Sequence, residues 1–242
     1  MARELAIGSP TCALWLARPD LVDDPARSLS QLSSDERARH DRYYFEKDRR
    51  LFRVAHDLTR RVLGRLLDRT PESLTFTKNE HGRPAVEDAD VHFNLSHTGG
   101  LVALAVTGGG YEVGVDVERR EGRRVEGALA RTCFEPRELQ GFLDQPSRPE
   151  QIERFYRLWT LKEAYMKGRG LGFHLPLKRF AFDLEREPIG LWVDEAHDDG
   201  LPWTFWQDLP TEEHALALAT QQPTLPPLQV QWLERPDQLA GK

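Results

Sequence analysis

The chain has 242 residues, of which 30% are charged and 39% hydrophobic, a balance typical of a globular protein of one large or two small domains. Its net charge of -6 argues against nonspecific nucleic-acid binding. Two cysteines, Cys12 and Cys133, imply no disulfide framework and fit a reducing cytoplasm, and no apolar run has the length of a signal h-region or a membrane span.

In chain order, Cys12 to Ala17 is a short apolar run between Pro10 and Pro19 that predicts a buried strand. Ser33-Ser34-Asp35-Glu36 carries the cap chemistry of a helix start. A longer helix is predicted from about Asp48 to Leu67, with the stripe Leu51, Ala55, Leu58, Val62 and Leu66 facing a core. Between Asp35 and Arg69 the charge reverses, with eleven Lys/Arg against seven acids, so an acidic or phosphorylated ligand could dock there. Leu74 to Thr77 predicts a strand and Glu80 to Pro84 a tight turn. Val91 to His97 and Leu101 to Val106, joined through Gly99 and Gly100, form a hairpin pattern.

Gly108-Gly109-Gly110 marks a seam. Beyond it the sequence predicts a strand from Tyr111 to Glu118, then a basic connection with Arg119, Arg120, Arg123 and Arg124, and helices near Val125 to Ala130 and Pro136 to Leu143. A loop containing Pro146, Ser147 and Pro149 leads into a helix in which Ile152, Tyr156 and Trp159 recur at helical spacing. Strands are expected at 179–184, 191–193, 203–206 and 214–220, and the tail after Gln221, rich in proline and polar residues, is expected to be irregular.

Three stretches carry chemistry. Asp116 and Glu118 alternate with valine in Gly114 to Glu118, so both carboxylates project from one face of a strand, an arrangement rare without a cation or a cationic partner to offset their repulsion. Glu163 and Lys167 lie at i, i+4 on the long helix, which glycines at 168 and 170 end. Three acids joined by a lysine suit Mg2+ and phosphate, because Mg2+ prefers oxygen ligands and completes its shell with water and substrate phosphate. Ser96 and His97, at the end of a strand, can reach phosphate oxygens without obstructing a sheet.

These stretches, Gly114-Val-Asp-Val-Glu118, Trp159 to Gly172 and Phe93-Asn-Leu-Ser-His97, resemble the G-[IV]-D-[IV]-E, W-[ST]-x-K-E-[AS]-x-x-K-x-x-G-x-G and F-N-x-S-H elements of the surfactin-type (Sfp-like) 4′-phosphopantetheinyl transferases. The likeness covers about residues 32–176. It implies an α+β fold built as a pseudo-twofold pair of similar halves with the active site between them: 1–110 on the coenzyme A side, 111–222 on the Mg2+ and carrier-protein side, and an irregular tail at 223–242. The echo of Leu101 to Thr107 in Ala215 to Thr220 agrees with it.

The resemblance implies transfer of phosphopantetheine from coenzyme A to a serine of an apo acyl, peptidyl or aryl carrier protein, releasing adenosine 3′,5′-bisphosphate. Asp116, Glu118 and Glu163 would hold Mg2+, with Glu163 as general base, directly or through a bound water, and Lys167 on the leaving phosphate. Arg83, Ser96 and His97 would contact coenzyme A, as would Arg50 and Arg53, assigned by position and charge, while Lys162 is either structural or a second phosphate contact. The expected protein is cytoplasmic and monomeric, without nucleic-acid or membrane partners. A Mg2+-dependent nucleotide or pyrophosphate hydrolase, or a carrier-binding module without catalysis, are the competing readings.

Overall fold

Cys12–Ala17 is strand β1, followed by two short helices, α1 (Pro19–Val22) and α2 (Pro25–Gln31). The computed structural model describes residues 11–121, 127–235 and 237–238. Helix α3 (Ser34–Asp41) opens with a full capping box: Ser33 Oγ accepts from the Glu36 N–H, and the Glu36 carboxylate accepts from the Ser33 N–H, satisfying two otherwise orphaned donors. Helix α4 (Glu46–Leu67) follows. Its predicted stripe is the buried face, with Ala55, Leu58 and Val62 in the core and Leu51 and Leu66 at its margin.

The hairpin strands β2 (Phe76–Lys78) and β3 (Pro84–Val86) flank the predicted turn, and β4 (His92–Thr98) pairs antiparallel with β5 (Leu101–Thr107). Then come β6 (Val113–Arg119), α5 (Gly127–Cys133), α6 (Pro136–Leu143) and α7 (Arg148–Arg169). Helix α7 starts earlier than the proline-marked loop predicted. Ser147 caps it, and Pro149 sits in the first turn, where a missing N–H leaves no bond unmade. It stops at Gly170, whose left-handed φ of 65° a residue with Cβ adopts reluctantly. Strands β7 (Phe180–Asp183), β8 (Gly190–Val193), β9 (Thr204–Thr211) and β10 (His214–Thr220) follow, and β11 (Leu228–Leu233) is last.

The architecture is α+β. The chain divides into two compact units, Met1–Gly110 with Pro227–Lys242, and Tyr111–Pro226. In the first, a sheet of order β11-β1-β5-β4 carries α4 on one face, with Trp15, Phe93, Val102, Leu104 and Val106 packed against Val54, Leu58 and Leu63. The tail expected to be irregular is not so: β11 pairs in parallel with β1 over six residues, from Cys12 opposite Leu228 to Ala17 opposite Leu233, and the tail belongs to the first unit. In the second unit, the antiparallel sheet β6-β10-β9 carries α7, whose Leu158, Leu161, Ala164 and Tyr165 share a core with Ala215, Ala217 and Ala219. Both cysteines are free and buried. Among the described residues no helix is long and apolar enough to cross a membrane.

Candidate active site

The second unit brings strand β6 and helix α7 together without a side-chain spacer. A Cβ on Gly114 would lie 1.9 Å from the Ala164 carbonyl oxygen and 2.4 Å from the Gly168 nitrogen, closer than any real contact, so glycine at 114 is what permits this approach. Register does the rest. Gly114, Asp116 and Glu118 stand opposite Ala219, Ala217 and Ala215 of β10. The face under α7 is therefore made of small residues and two acids, while Val115, Val117, Leu216 and Leu218 point to the other face.

One side of α7 then runs along β6. The Tyr156 hydroxyl accepts from the Glu121 N–H at 3.0 Å and donates to the Glu121 carbonyl. Trp159 Nε1 donates to Glu118 at 3.1 Å, its ring stacked on Phe155. Lys167 Nζ donates to Asp116 Oδ1 at 2.6 Å. Glu163 lies on the same side between Trp159 and Lys167, as the helical spacing predicted.

Glu163 is the perturbed group. Burial pushes its carboxyl up to about 7, the neighbouring Asp116 carboxylate adds to the rise, the Lys167 ammonium opposes it, and Glu118 adds a smaller push. Such a carboxyl is poised to exchange a proton near neutral pH. Among the described residues no three His, Cys, Asp or Glu side chains close into a ready-made metal cage. The donor set nevertheless fits Mg2+: three carboxylates offset by one ammonium need further positive charge, and this ion is commonly held by one or two carboxylates with water and substrate phosphate completing the octahedron.

In the first unit a cleft of about 880 Å³ is lined by α3, α4 and the strands β2 to β4. Its lining includes the basic Arg39, Arg42, Lys78 and His97, the apolar Phe76, Phe93 and Leu95, and the acids Asp35, Glu36 and Glu72. Glu36 is neutralised where it stands, 2.9 Å from His56 Nδ1 and 2.8 Å from Arg60. Arg60 stacks over Phe76 and donates to the carbonyls of Pro71 and Leu74. A basic, partly aromatic cleft of this volume suits a nucleotide-sized anion.

The model of the 4′-phosphopantetheinyl transferase superfamily matches residues 112–219, and that of the 4′-phosphopantetheinyl transferase N-terminal region matches 21–108. The chain is 32% identical to the 4′-phosphopantetheinyl transferase gsp of Aneurinibacillus migulanus, covering 70% of this chain and 73% of that one. It is 34% identical to HetI of Nostoc sp. (69% and 72%) and 28% identical to Sfp of Bacillus subtilis (76% and 81%). The chain belongs to the 4′-phosphopantetheinyl transferase family.

Of the expected site residues of this phosphopantetheinyl transferase, the structure brings Asp116, Glu118, Glu163 and Lys167 together, and His97 lines the cleft of the first unit. Arg83 does not line it, although its neighbours Gly82 and Pro84 do. Its backbone N–H is tied to Asn79 Oδ1 at 2.8 Å. Ser96 is buried in β4, out of step with His97, and is absent from the cleft lining.

Three further candidates do not line the cleft. Arg53 is 4% exposed, its guanidinium bonded to both oxygens of Asp23 and to Glu46 at 2.8 Å, so it fastens α4 to the segment before α2. Arg50 leans on the same Asp23 at 3.4 Å and does not line the cleft. Lys162 is wholly buried against Glu138 at 2.7 Å, which removes it from reach of a phosphate. Arg39, Arg42 and Lys78 line the cleft where Arg50 and Arg53 do not. The i, i+3 spacing of Arg39 and Arg42, at the basic end of α3, is the sequence signal that marks them.

Proposed function

We propose that the enzyme transfers 4′-phosphopantetheine from coenzyme A to a serine hydroxyl of an apo carrier protein, with Mg2+ as cofactor. The observation that carries this reading is the gathering of Asp116, Glu118, Glu163 and Lys167 where α7 meets β6, with Lys167 Nζ on Asp116 at 2.6 Å and Trp159 on Glu118 at 3.1 Å. A bond forms from the serine oxygen to the β-phosphorus as the bond to adenosine 3′,5′-bisphosphate breaks. Glu163, directly or through a water, would take the serine proton. Lys167 faces the negative charge that gathers on the leaving phosphate. Asp116, Glu118 and Glu163 would hold Mg2+, which supplies charge neutralisation on the pyrophosphate.

Coenzyme A would place its nucleotide phosphates against Arg39, Arg42, Lys78 and His97. The carrier would dock on the second unit, where Leu129 and Arg131 are exposed on α5. Phe134 belongs to the core of this unit and Leu139 packs on it, and Arg123 and Arg124 lie outside the described residues. The protein would act as a cytoplasmic monomer.

The test is incubation with coenzyme A, Mg2+ and an apo carrier protein, followed by the intact mass of the carrier. Addition of one phosphopantetheine is the expected result. Release of bisphosphate or phosphate with no labelled carrier would select a hydrolase, and neither product would select a binding module.

A further inference from the structure

We propose that Lys162 is a positioning residue, a buried peg that fixes the rotation of α7 about its own axis and so aims Glu163 and Lys167; this rests on the transferase reading above. The Lys162 side chain is 0% exposed. Its ammonium group meets three acceptors: Glu138 Oε2 at 2.7 Å, the Leu177 carbonyl at 2.8 Å and the Phe180 carbonyl at 2.7 Å. An ammonium has three donors and all are used, so none remains for a substrate phosphate. The Phe180 ring centroid lies 4.4 Å from Nζ, closing that side as well.

Glu138 is as fully engaged. Oε1 accepts from the Phe182 N–H at 2.8 Å, and Oε2 accepts from the Glu135 N–H at 2.9 Å as part of the cap of α6. The pair thus ties α7 to α6 and to the segment entering β7. Successive residues on a helix point about 100° apart, so a fixed Lys162 sets the direction of Glu163 on the side that runs along β6. Stability alone is a weak reason for the pair, since buried ion pairs are often replaceable by apolar residues without loss. What apolar packing does not reproduce is the directional grip of three hydrogen bonds and a second carboxylate oxygen held by backbone.

The test uses the full chain and the variant Lys162→Met/Glu138→Leu, which removes both charges and leaves neither buried alone. Trp159 reports the setting of α7 without reference to activity, because its indole N–H donates to Glu118 of β6. Its 15N-indole resonance is identified with Trp159→Phe. The expected result is a folded variant with a cooperative melt, a displaced Trp159 indole resonance, a kcat lowered at least tenfold and a KM for coenzyme A within twofold of wild type.

An unmoved resonance with unchanged kcat in the folded variant would overturn the proposal, and so would a raised KM for coenzyme A at unchanged kcat, which would make Lys162 a substrate contact. Glu138→Gln keeps an acceptor for Phe182 and the two carbonyl acceptors of Lys162. If the double variant does not fold, this isosteric change is expected to move the same resonance and lower kcat about threefold in the folded protein, and no change in either would overturn the proposal. A wild-type protein that transfers no phosphopantetheine would sink the reading of function, while the Trp159 resonance would still decide whether the pair sets α7.

Discussion

Glu36 in the first unit and Glu163 in the second are partly buried glutamates on helices, and their surroundings drive them in opposite directions. Burial alone would raise Glu36, but hydrogen bonds from His56 and the Ser33 N–H, with the charges of His56 and Arg60, outweigh it and hold the carboxyl down at about 2. Glu163 has burial and two neighbouring carboxylates against a single lysine and rises to about 7. The same contrast runs through the helices that carry the ionic groups. Along α4, arginines are matched by carboxylates brought from elsewhere, Arg53 by Asp23 and Arg60 by Glu36, and the helix rests on the bulky side chains of β5. Helix α7 rests on glycine and alanine, comes close to β6, and leaves acids crowding acids. Satisfied charge gives a binding wall. Three carboxylates gathered around one ammonium make a site that calls for a cation.

The sharpest way to break this comparison is to remove the crowding. Asp116→Ala deletes one proposed metal ligand and no core volume, so kcat should fall by a factor equivalent to about 3–5 kcal/mol in the barrier, with the melting temperature held within a few degrees. Near-wild-type activity at saturating Mg2+ would separate Asp116 from the chemistry. Arg53→Ala should do the reverse, leaving Asp23 without its main partner and lowering stability by about 2–4 kcal/mol at little change in kcat for the folded protein.

Close approach gives the next largest effect. Gly114→Ala adds one carbon but drives it into the backbone of α7, and should cost more than about 3 kcal/mol. Val62→Ala removes two carbons from the core under α4 and should cost about 1–3 kcal/mol. Denaturant melts that reverse this order would show that α7 can lift away from β6 at little cost.

The two glutamates then predict opposite dependences on pH. Folding raises Glu163 from an ordinary 4.5 to about 7, so the folded state takes up a proton and the group costs stability that grows from pH 4.5 to 7 and stays level above. Without Mg2+, Glu163→Gln should therefore stabilise the protein by about 3 kcal/mol at pH 8 and by nothing at pH 4. Glu36 is depressed, so its contribution is present above pH 4.5 and lost as pH falls toward 2. Glu36→Gln should destabilise at pH 7 by about 1 kcal/mol after allowance for solvent screening, with the difference gone near pH 2. Parallel rather than opposed pH profiles would remove the contrast.

Legibility in the sequence followed distance along the chain. Asp116 with Glu118, and Glu163 with Lys167, are placed by local period alone, two residues on a strand and four on a helix, and both pairs stand where their spacing put them. Arg53 misleads, and Lys162 stays open between two roles, because the carboxylates that bury them come from residues 30 positions earlier and 24 positions earlier, which no local pattern reveals. The tail hid for two reasons. Leu228-Gln-Val-Gln-Trp-Leu233 alternates as a strand should, but prolines at 223, 226 and 227 precede it, and its parallel partner β1 lies at the opposite end of the chain.

The division between a binding wall and a reacting site is tested most directly by calorimetric titration of coenzyme A, without Mg2+, into the wild type, Arg42→Ala/Lys78→Ala and Glu163→Gln. The account predicts a Kd at least tenfold weaker for the cleft variant, and for Glu163→Gln a Kd no weaker than wild type, since that change removes only a negative charge. Unchanged binding in the cleft variant, with binding lost in Glu163→Gln, would contradict it.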